Sequence, residues 1–303
     1  MPNNMREFTI NENDAGQRLD KFITKLMPNL PRSLMYKGFR KNCVKLNRKH
    51  VKDGAKFLKS DDIVTLYFKD EFFEDKSDFN YTAPSFDAVY EDSNIIIVNK
   101  PAGLLSHADS DGGGVTLIDM IQSYLYDKNE YIPHHEQTFR PALCNRLDRN
   151  TSGLVIAAKN ASALREMNKN IKDRNVHKFY TALAEGQVPD KGKIKSSLSR
   201  SGMKTYSDES GKSAMLSYRL ILYKDGYSLV HIELYTGRTH QIRVQFSDMG
   251  HPLAGDKKYG GKPCKFKNSL CCTELKFDFN PNSSLSYLNS LSVKITAPFE
   301  KYF

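Results

Sequence analysis

The apolar residues of this chain come in runs of strand length, such as Ile95-Ile96-Ile97-Val98 and Leu154 to Ala158, each bounded by turn-forming residues. Runs of four or five apolar residues between turn signals suit buried strands and fall far short of a membrane-spanning helix. Helical spacing is confined to a few segments, and it does not alternate regularly with the strands. That pattern predicts an α+β fold rather than a doubly wound sheet.

Residues 8–68 read as a compact unit. Leu19, Phe22, Ile23 and Leu26 fall at i, i+3, i+4 and i+7, one face of a helix within residues 16–27. Arg18, Lys21 and Lys25 then lie mostly away from the core. Pro28 and Pro31 stop that helix, and a second is expected over residues 32–41. Val44 to Lys49 reads as a short strand turning into a basic loop, and Ile63, Val64, Leu66 and Phe68 as a closing strand. From Asp70 to Ser85 acidic residues dominate, with Asp70, Glu71, Glu74, Asp75 and Asp78 against Lys76. The expected division is therefore a basic module at 8–70, an acidic linker at 71–85 and a larger domain at 86–303.

In the larger domain, Val89-Tyr90 and Ile95 to Val98 read as a hairpin around the turn residues Glu91 to Asn94. Lys100-Pro101-Ala102-Gly103 breaks the second strand, and Gly112 to Gly114 form a loop before a helix at 117–126. After the strand at 154–158 comes a helix with Ala161, Leu164, Met167 and Ile171 on one face. Strands follow from Phe179 to Leu234. A last helix runs from Thr239 to Met249, with Thr239 as N-cap, a stripe of Ile242, Phe246 and Met249, and Gly250 as C-terminal cap.

The net charge is +10, and residues 1–70 hold 15 Lys and Arg against 8 Asp and Glu, a local excess of +7. Such asymmetry suits a polyanion held by the N-terminal module, and equally a basic surface without a partner. Five cysteines without a C-x-x-C pair argue against a disulfide framework and a structural zinc site. The N-terminus lacks a secretory layout, so the expected location is cytoplasmic.

Three segments could carry chemistry. Asp148 lies between Arg146 and Arg149 in a turn leading into a buried strand, and positive neighbours favour the charged form of a carboxylate. By itself the segment also fits an ion-paired turn residue. Thr236-Gly237-Arg238-Thr239-His240-Gln241-Ile242-Arg243 sets two arginines, a histidine and a glutamine at a helix N-terminus, an arrangement suited to anions. Arg238 can reach phosphate there, whereas Arg243 lies beside the apolar stripe and needs a partner if buried. In Lys178 to Leu183, Tyr180 points opposite to Phe179 and Thr181, either to stack on a base or to fill the core. Gly112 to Gly114 lack a phosphate-loop ending, His134-His135 have no third ligand, and nucleophile-elbow and dinucleotide motifs are missing.

Taken in order, these motifs have a family look. Tyr90-Glu-Asp-x2-Ile-Ile-Ile-Val-Asn-Lys-Pro-Ala-Gly103 precedes Arg146-Leu-Asp-x2-Thr-Ser-Gly153, then Lys178-x-Tyr180, Gly237-Arg-Thr-His-Gln-Ile-Arg243 and Gly250-His-Pro-Leu-Ala-Gly-Asp256. The sequence closely resembles the RluA family of pseudouridine synthases over residues 15–300. The resemblance implies a mixed, mostly antiparallel catalytic sheet and a small N-terminal RNA-binding domain of the kind shared with a ribosomal small-subunit protein. It implies that Asp148 acts on the ribose of the target uridine, by attack or by removing the 2′ proton. Arg243 would pair with Asp148, Tyr180 would stack on the base, and Arg146 would fill the gap left by a flipped uridine. RNA contacts would come from Arg238, His240, Arg18, Lys21, Lys45, Arg48 and Lys49. The implied partner is RNA, in the first place large-subunit ribosomal RNA, with transfer RNA or a non-catalytic assembly role as alternatives. No membrane, obligate protein partner, metal or cofactor is implied. Two positions depart from the family pattern: Asn145 and Cys271 stand where histidines are usual.

Overall fold

The computed structural model describes residues 4–73, 79–108, 114–265 and 269–303. Glu74, Asp75, Lys76 and Asp78 of the expected linker, and Gly112 and Gly113 of the glycine loop, lie outside them. The chain forms two compact units, one of residues 1–81, 122–141 and 159–162, the other of residues 82–121, 142–158 and 163–303. No helix among the described residues is long and apolar enough to cross a membrane.

The first unit contains β1 (Asn4–Thr9), α1 (Leu19–Leu26), α2 (Arg32–Arg40), β2 (Val44–Leu46), β3 (Lys49–His50) and β4 (Ile63–Phe68). Its strands form an antiparallel sheet in the order β1-β4-β2-β3. Leu19, Phe22, Ile23 and Leu26 are all buried with Phe39, Val64 and Leu66, as the spacing on α1 predicts. Each fully buried side chain of this size contributes about 1.5–3 kcal/mol. β1 gave no sequence signal because five of its six residues are exposed, leaving no alternation to read. Later segments join this unit through side chains: Asn13 donates to Glu136 (2.8 Å) and accepts from the Ala161 N–H (3.0 Å), and Gln17 donates to Thr138 (3.1 Å). Such bonds depend on tertiary structure and leave no local pattern.

The rest of the chain supplies β5 (Asp87–Glu91), β6 (Ile95–Lys100), α3 (Leu117–Asp127), β7 (Ala142–Leu143), β8 (Ser152–Ala158) and α4 (Ala161–Lys172). Then follow β9 (Val176–Glu185), β10 (Lys191–Ser201), β11 (Lys204–Ser207), β12 (Lys212–Lys224), β13 (Tyr227–Leu234), α5 (Gln241–Asp248), β14 (Leu270–Phe277) and β15 (Ser292–Lys294). The main sheet runs β11-β10-β12-β13-β9-β14-β8-β6-β5, with β15 on β14 and β7 on β8. Among the described residues every pairing between these strands is antiparallel except β14 with β8. The fold is α+β with a mostly antiparallel sheet, two antiparallel blocks meeting at one parallel seam.

At that seam Gly153 pairs with Cys272. Its φ is +114°, and a Cβ there would overlap the Cys272 backbone, so the position requires glycine twice over. On α4 the buried residues are Ala161, Ala163, Met167 and Asn170, with the expected Leu164 and Ile171 only half-buried. The stripe shifts because Asn170 is satisfied inside, donating to the Glu166 carbonyl (2.9 Å) and accepting from Asn175 (2.9 Å).

Candidate active site

The segment 144–151 joins β7 to β8 and is tied down on every side. Asn145 accepts from the Ile156 N–H (2.7 Å) and donates to the Leu154 carbonyl (3.4 Å), pinning the loop to β8. Ser106 donates to the Leu147 carbonyl (2.8 Å) and accepts from its N–H (3.3 Å). Lys100, wholly buried at the end of β6, donates to the carbonyls of Pro101 (3.0 Å), Leu104 (2.8 Å) and Arg149 (3.1 Å). Burial pushes its ammonium down to about 8, against the opposing pull of Asp148. The Thr151 N–H closes a turn on the Asp148 carbonyl (3.0 Å). Asp148 is thus carried on a rigid loop, its side chain 27% exposed.

The cation facing it is not one of its flanking arginines. Among the described residues neither Arg146 nor Arg149 pairs with Asp148. Both are exposed, and Arg149 donates instead to the Gly103 carbonyl (3.2 Å). Arg243 on α5, 95 residues away, donates through Nη1 to Asp148 Oδ2 at 3.0 Å. The rest of its guanidinium fork is taken by Asp256, with Nε to Oδ2 at 2.6 Å and Nη2 to Oδ1 at 2.8 Å. Arg243 and Asp256 are both buried. Burial alone would lower the Arg243 pKa, but Asp256 and then Asp148 outweigh it and raise it, so the guanidinium is a fixed charge.

α5 begins differently from the sequence expectation. Thr239 does not cap it; His240 precedes the first turn in a left-handed conformation (φ +54°), without a side-chain cap. The opening is held by Gln241, whose Oε1 accepts from the Thr236 hydroxyl (2.8 Å) and the Arg238 N–H (3.1 Å). Residues 241–246 are all buried, so the helix is covered all round rather than along one stripe, and Met249 is only half-buried. The left-handed residue swings His240 towards Asp148, Nε2 lying 3.7 Å from Oδ2. Its Nδ1 meets the Tyr259 hydroxyl at 2.7 Å. The Thr205 N–H donates to that hydroxyl (3.1 Å), which holds the phenol in place beside the ring. Burial, with Arg243 and Lys258, lowers the His240 pKa despite the two carboxylates, so the ring is neutral at pH 7.

Tyr180 on β9 is 6% exposed, and burial, followed by Cys272 and Asp148, holds its phenol well above 10. It stays protonated. Cys271 is a buried thiol pushed up to about 11 by burial, inert as a nucleophile. Arg146 and Arg238 are exposed, and Arg238 Nε donates to the Ser213 carbonyl (3.0 Å). In the first unit Lys21, Arg48 and Lys49 are exposed, with Asn47 and Arg48 forming the two-residue left-handed turn between β2 and β3. Arg18 spends its guanidinium on Asp20 (2.6 and 3.1 Å), and Lys45 donates to the Tyr67 hydroxyl (3.3 Å).

Residues 94–248 match the RNA pseudouridylate synthase family, described as RNA pseudouridylate synthase. The chain is 32% identical to an uncharacterized RNA pseudouridine synthase of Mycoplasma capricolum, over 94% of this chain and 96% of that one. It is 33% identical to ribosomal large subunit pseudouridine synthase D of Borreliella burgdorferi, over 94% and 88% of the two chains. The chain belongs to the RNA pseudouridylate synthase family. Within it the chain is of the RluA type, and the enzyme is an isomerase of uridine in RNA. The fold is likewise similar to human RNA pseudouridylate synthase domain containing 4, with a TM-score of 0.55 at 20% identity, over 70% of this chain and 88% of that one.

Two residues that the synthase places around Asp148 are not singled out by the sequence. Asp256 stands there only as the end of a motif, and Lys100 only as a strand breaker. A signal for Asp256 existed, since an arginine on a helix that is buried throughout demands a carboxylate, and Asp256 is the first acidic residue beyond the end of α5. Nothing local marked Lys100, whose partners are all backbone carbonyls.

Proposed function

We propose that Asp148 is the group that acts on the ribose of the target uridine, and that the substrate is large-subunit ribosomal RNA. One observation carries the first part: Asp148 is a partly exposed carboxylate on a rigid loop, facing a buried guanidinium. Isomerisation breaks the bond from C1′ to N1 and forms one from C1′ to C5. The C5 proton leaves, N1 regains a proton, and no atom is gained or lost overall. Charge develops on sugar and base as the bond breaks, and fixed charges in a desolvated site stabilise it. Asp148 serves by attacking C1′ or by taking the 2′ proton. Deuterium at C2′ separates the routes, slowing only the second. In this reading Tyr180 lies against the base and Arg146 fills the space of the flipped nucleotide.

The choice of substrate is supported by relatives named as large-subunit enzymes. We read residues 8–70 as the RNA-binding module, with Lys21, Lys45, Arg48 and Lys49 towards phosphates. Arg18, bound to Asp20, contributes less, and Arg238 and His240 contact RNA near Asp148. We place the enzyme in the cytoplasm, where ribosomal RNA is made in the bacteria its relatives come from. The test is to map pseudouridines in RNA from cells lacking the gene, complemented with the wild-type or the Asp148→Asn gene. The reading expects defined large-subunit sites to vanish and to return only with the wild-type gene. Loss confined to transfer RNA would overturn the substrate, and restoration by Asp148→Asn would overturn the role of Asp148.

A further inference from the structure

Arg243 lies between two carboxylates, and they hold it unequally. A guanidinium left to itself favours a two-pronged pairing that occupies both oxygens of one carboxylate. Here the prongs Nε and Nη2 both go to Asp256, and only Nη1 reaches Asp148. Asp148 Oδ1 accepts no hydrogen bond among the described residues.

Asp256 is well suited to hold the fork. Its N–H donates to the Leu253 carbonyl (3.0 Å), while its own carbonyl accepts from Tyr259 (3.1 Å) and Gly261 (2.9 Å). The turn before it is bound between β9 and Ser269, through Ala254 N–H to the Leu183 carbonyl (2.9 Å) and Ser269 N–H to the Ala254 carbonyl (3.1 Å). Gly261 passes so close to the Leu253 carbonyl that a Cβ would overlap it. From the same turn, the Tyr259 ring lies 4.9 Å from the Arg243 guanidinium, and its hydroxyl holds His240. One rigid turn therefore sets both groups that face Asp148.

Resting on the reading of Asp148 above, we propose that Asp256 is a positioning residue that occupies the Arg243 fork and so leaves Asp148 one charge-assisted contact and one oxygen free to react. Without Asp256, Arg243 can rotate and clamp both oxygens of Asp148. The carboxylate would then be paired but blocked. The effect falls on the chemical step, because Asp256 is buried and out of reach of a surface contact.

The test is a cycle of single-turnover rates for the wild type, Asp256→Asn, Arg243→Lys and the double variant, with RNA affinity measured alongside. Lysine carries a point charge and no fork. Asp256→Asn is expected to slow the step about 30-fold or more, and to leave RNA affinity within about 3-fold. Added to Arg243→Lys it should change the rate by no more than about 2-fold, since the two substitutions remove one arrangement. Equal losses in both backgrounds, or a single variant with a near wild-type rate, would overturn the proposal. Should Asp256→Asn not fold, the nitrogen-15 signal of Arg243 Nε–H decides the matter in Asp148→Asn. A slowly exchanging, unshifted signal is expected if Asp256 holds the fork, and rapid exchange would overturn it. An active Asp148→Asn enzyme would instead remove the reading of Asp148 itself, whatever the cycle shows.

Discussion

At the scale of single residues, the site rests on charges whose partners are backbone or distant in sequence. Lys100 is the clearest case, an ammonium with no exposure that three carbonyls hold against the Asp148 loop. Replacing it with methionine leaves those carbonyls short of a donor, and we expect a loss of about 3 kcal/mol in denaturant unfolding at pH 7. Its pH dependence is equally specific. A lysine held down to about 8, below its ordinary 10.5, binds fewer protons folded than unfolded between those values. The cost of burying its charge is therefore present in full below about pH 8, and it is relieved as pH rises towards 10.5. The difference in stability between wild type and Lys100→Met should widen over that window. A gap that narrows there would contradict the depressed value.

At the scale of elements, the parallel seam between β14 and β8 fixes where the Asp148 loop begins. Gly153→Ala should lower stability by about 3 kcal/mol, seen as a fall in Tm, with loss of activity as the loop shifts. Full activity in a stable Gly153→Ala protein would show that the close approach is relieved elsewhere. Elements with a strong period were legible from sequence: α1, the hairpin of β5 and β6, and β8 all lie where apolar spacing puts them. The start of α5 was not, because His240 takes a left-handed turn in place of a Thr239 cap, and Gln241 instead bonds back to the Arg238 N–H of the preceding turn. The pairing of β8 with β14 was also beyond reach, since register between strands about 120 residues apart leaves no mark in either.

At the scale of the whole molecule, charge is the readable property, and it concerns partners rather than fold. Substituting glutamine for Lys21, Arg48 and Lys49, exposed on the first unit, should weaken RNA binding and reduce the salt slope by roughly one for each phosphate no longer neutralised. An unchanged slope would mean that other residues meet the phosphates. The motifs around Asp148, Tyr180 and Arg243 indicated the family from sequence. The link from Arg243 to Asp256 depends on packing that brings the first turn of α5 against a later turn, so the sequence pointed to a need for a carboxylate without showing the pairing. All of these features converge on one carboxylate. The most direct measurement is pseudouridine formation by purified Asp148→Asn enzyme on the RNA that the wild type modifies, with binding to that RNA measured in parallel. We predict no product and an affinity close to that of the wild type; undiminished product formation would contradict the account.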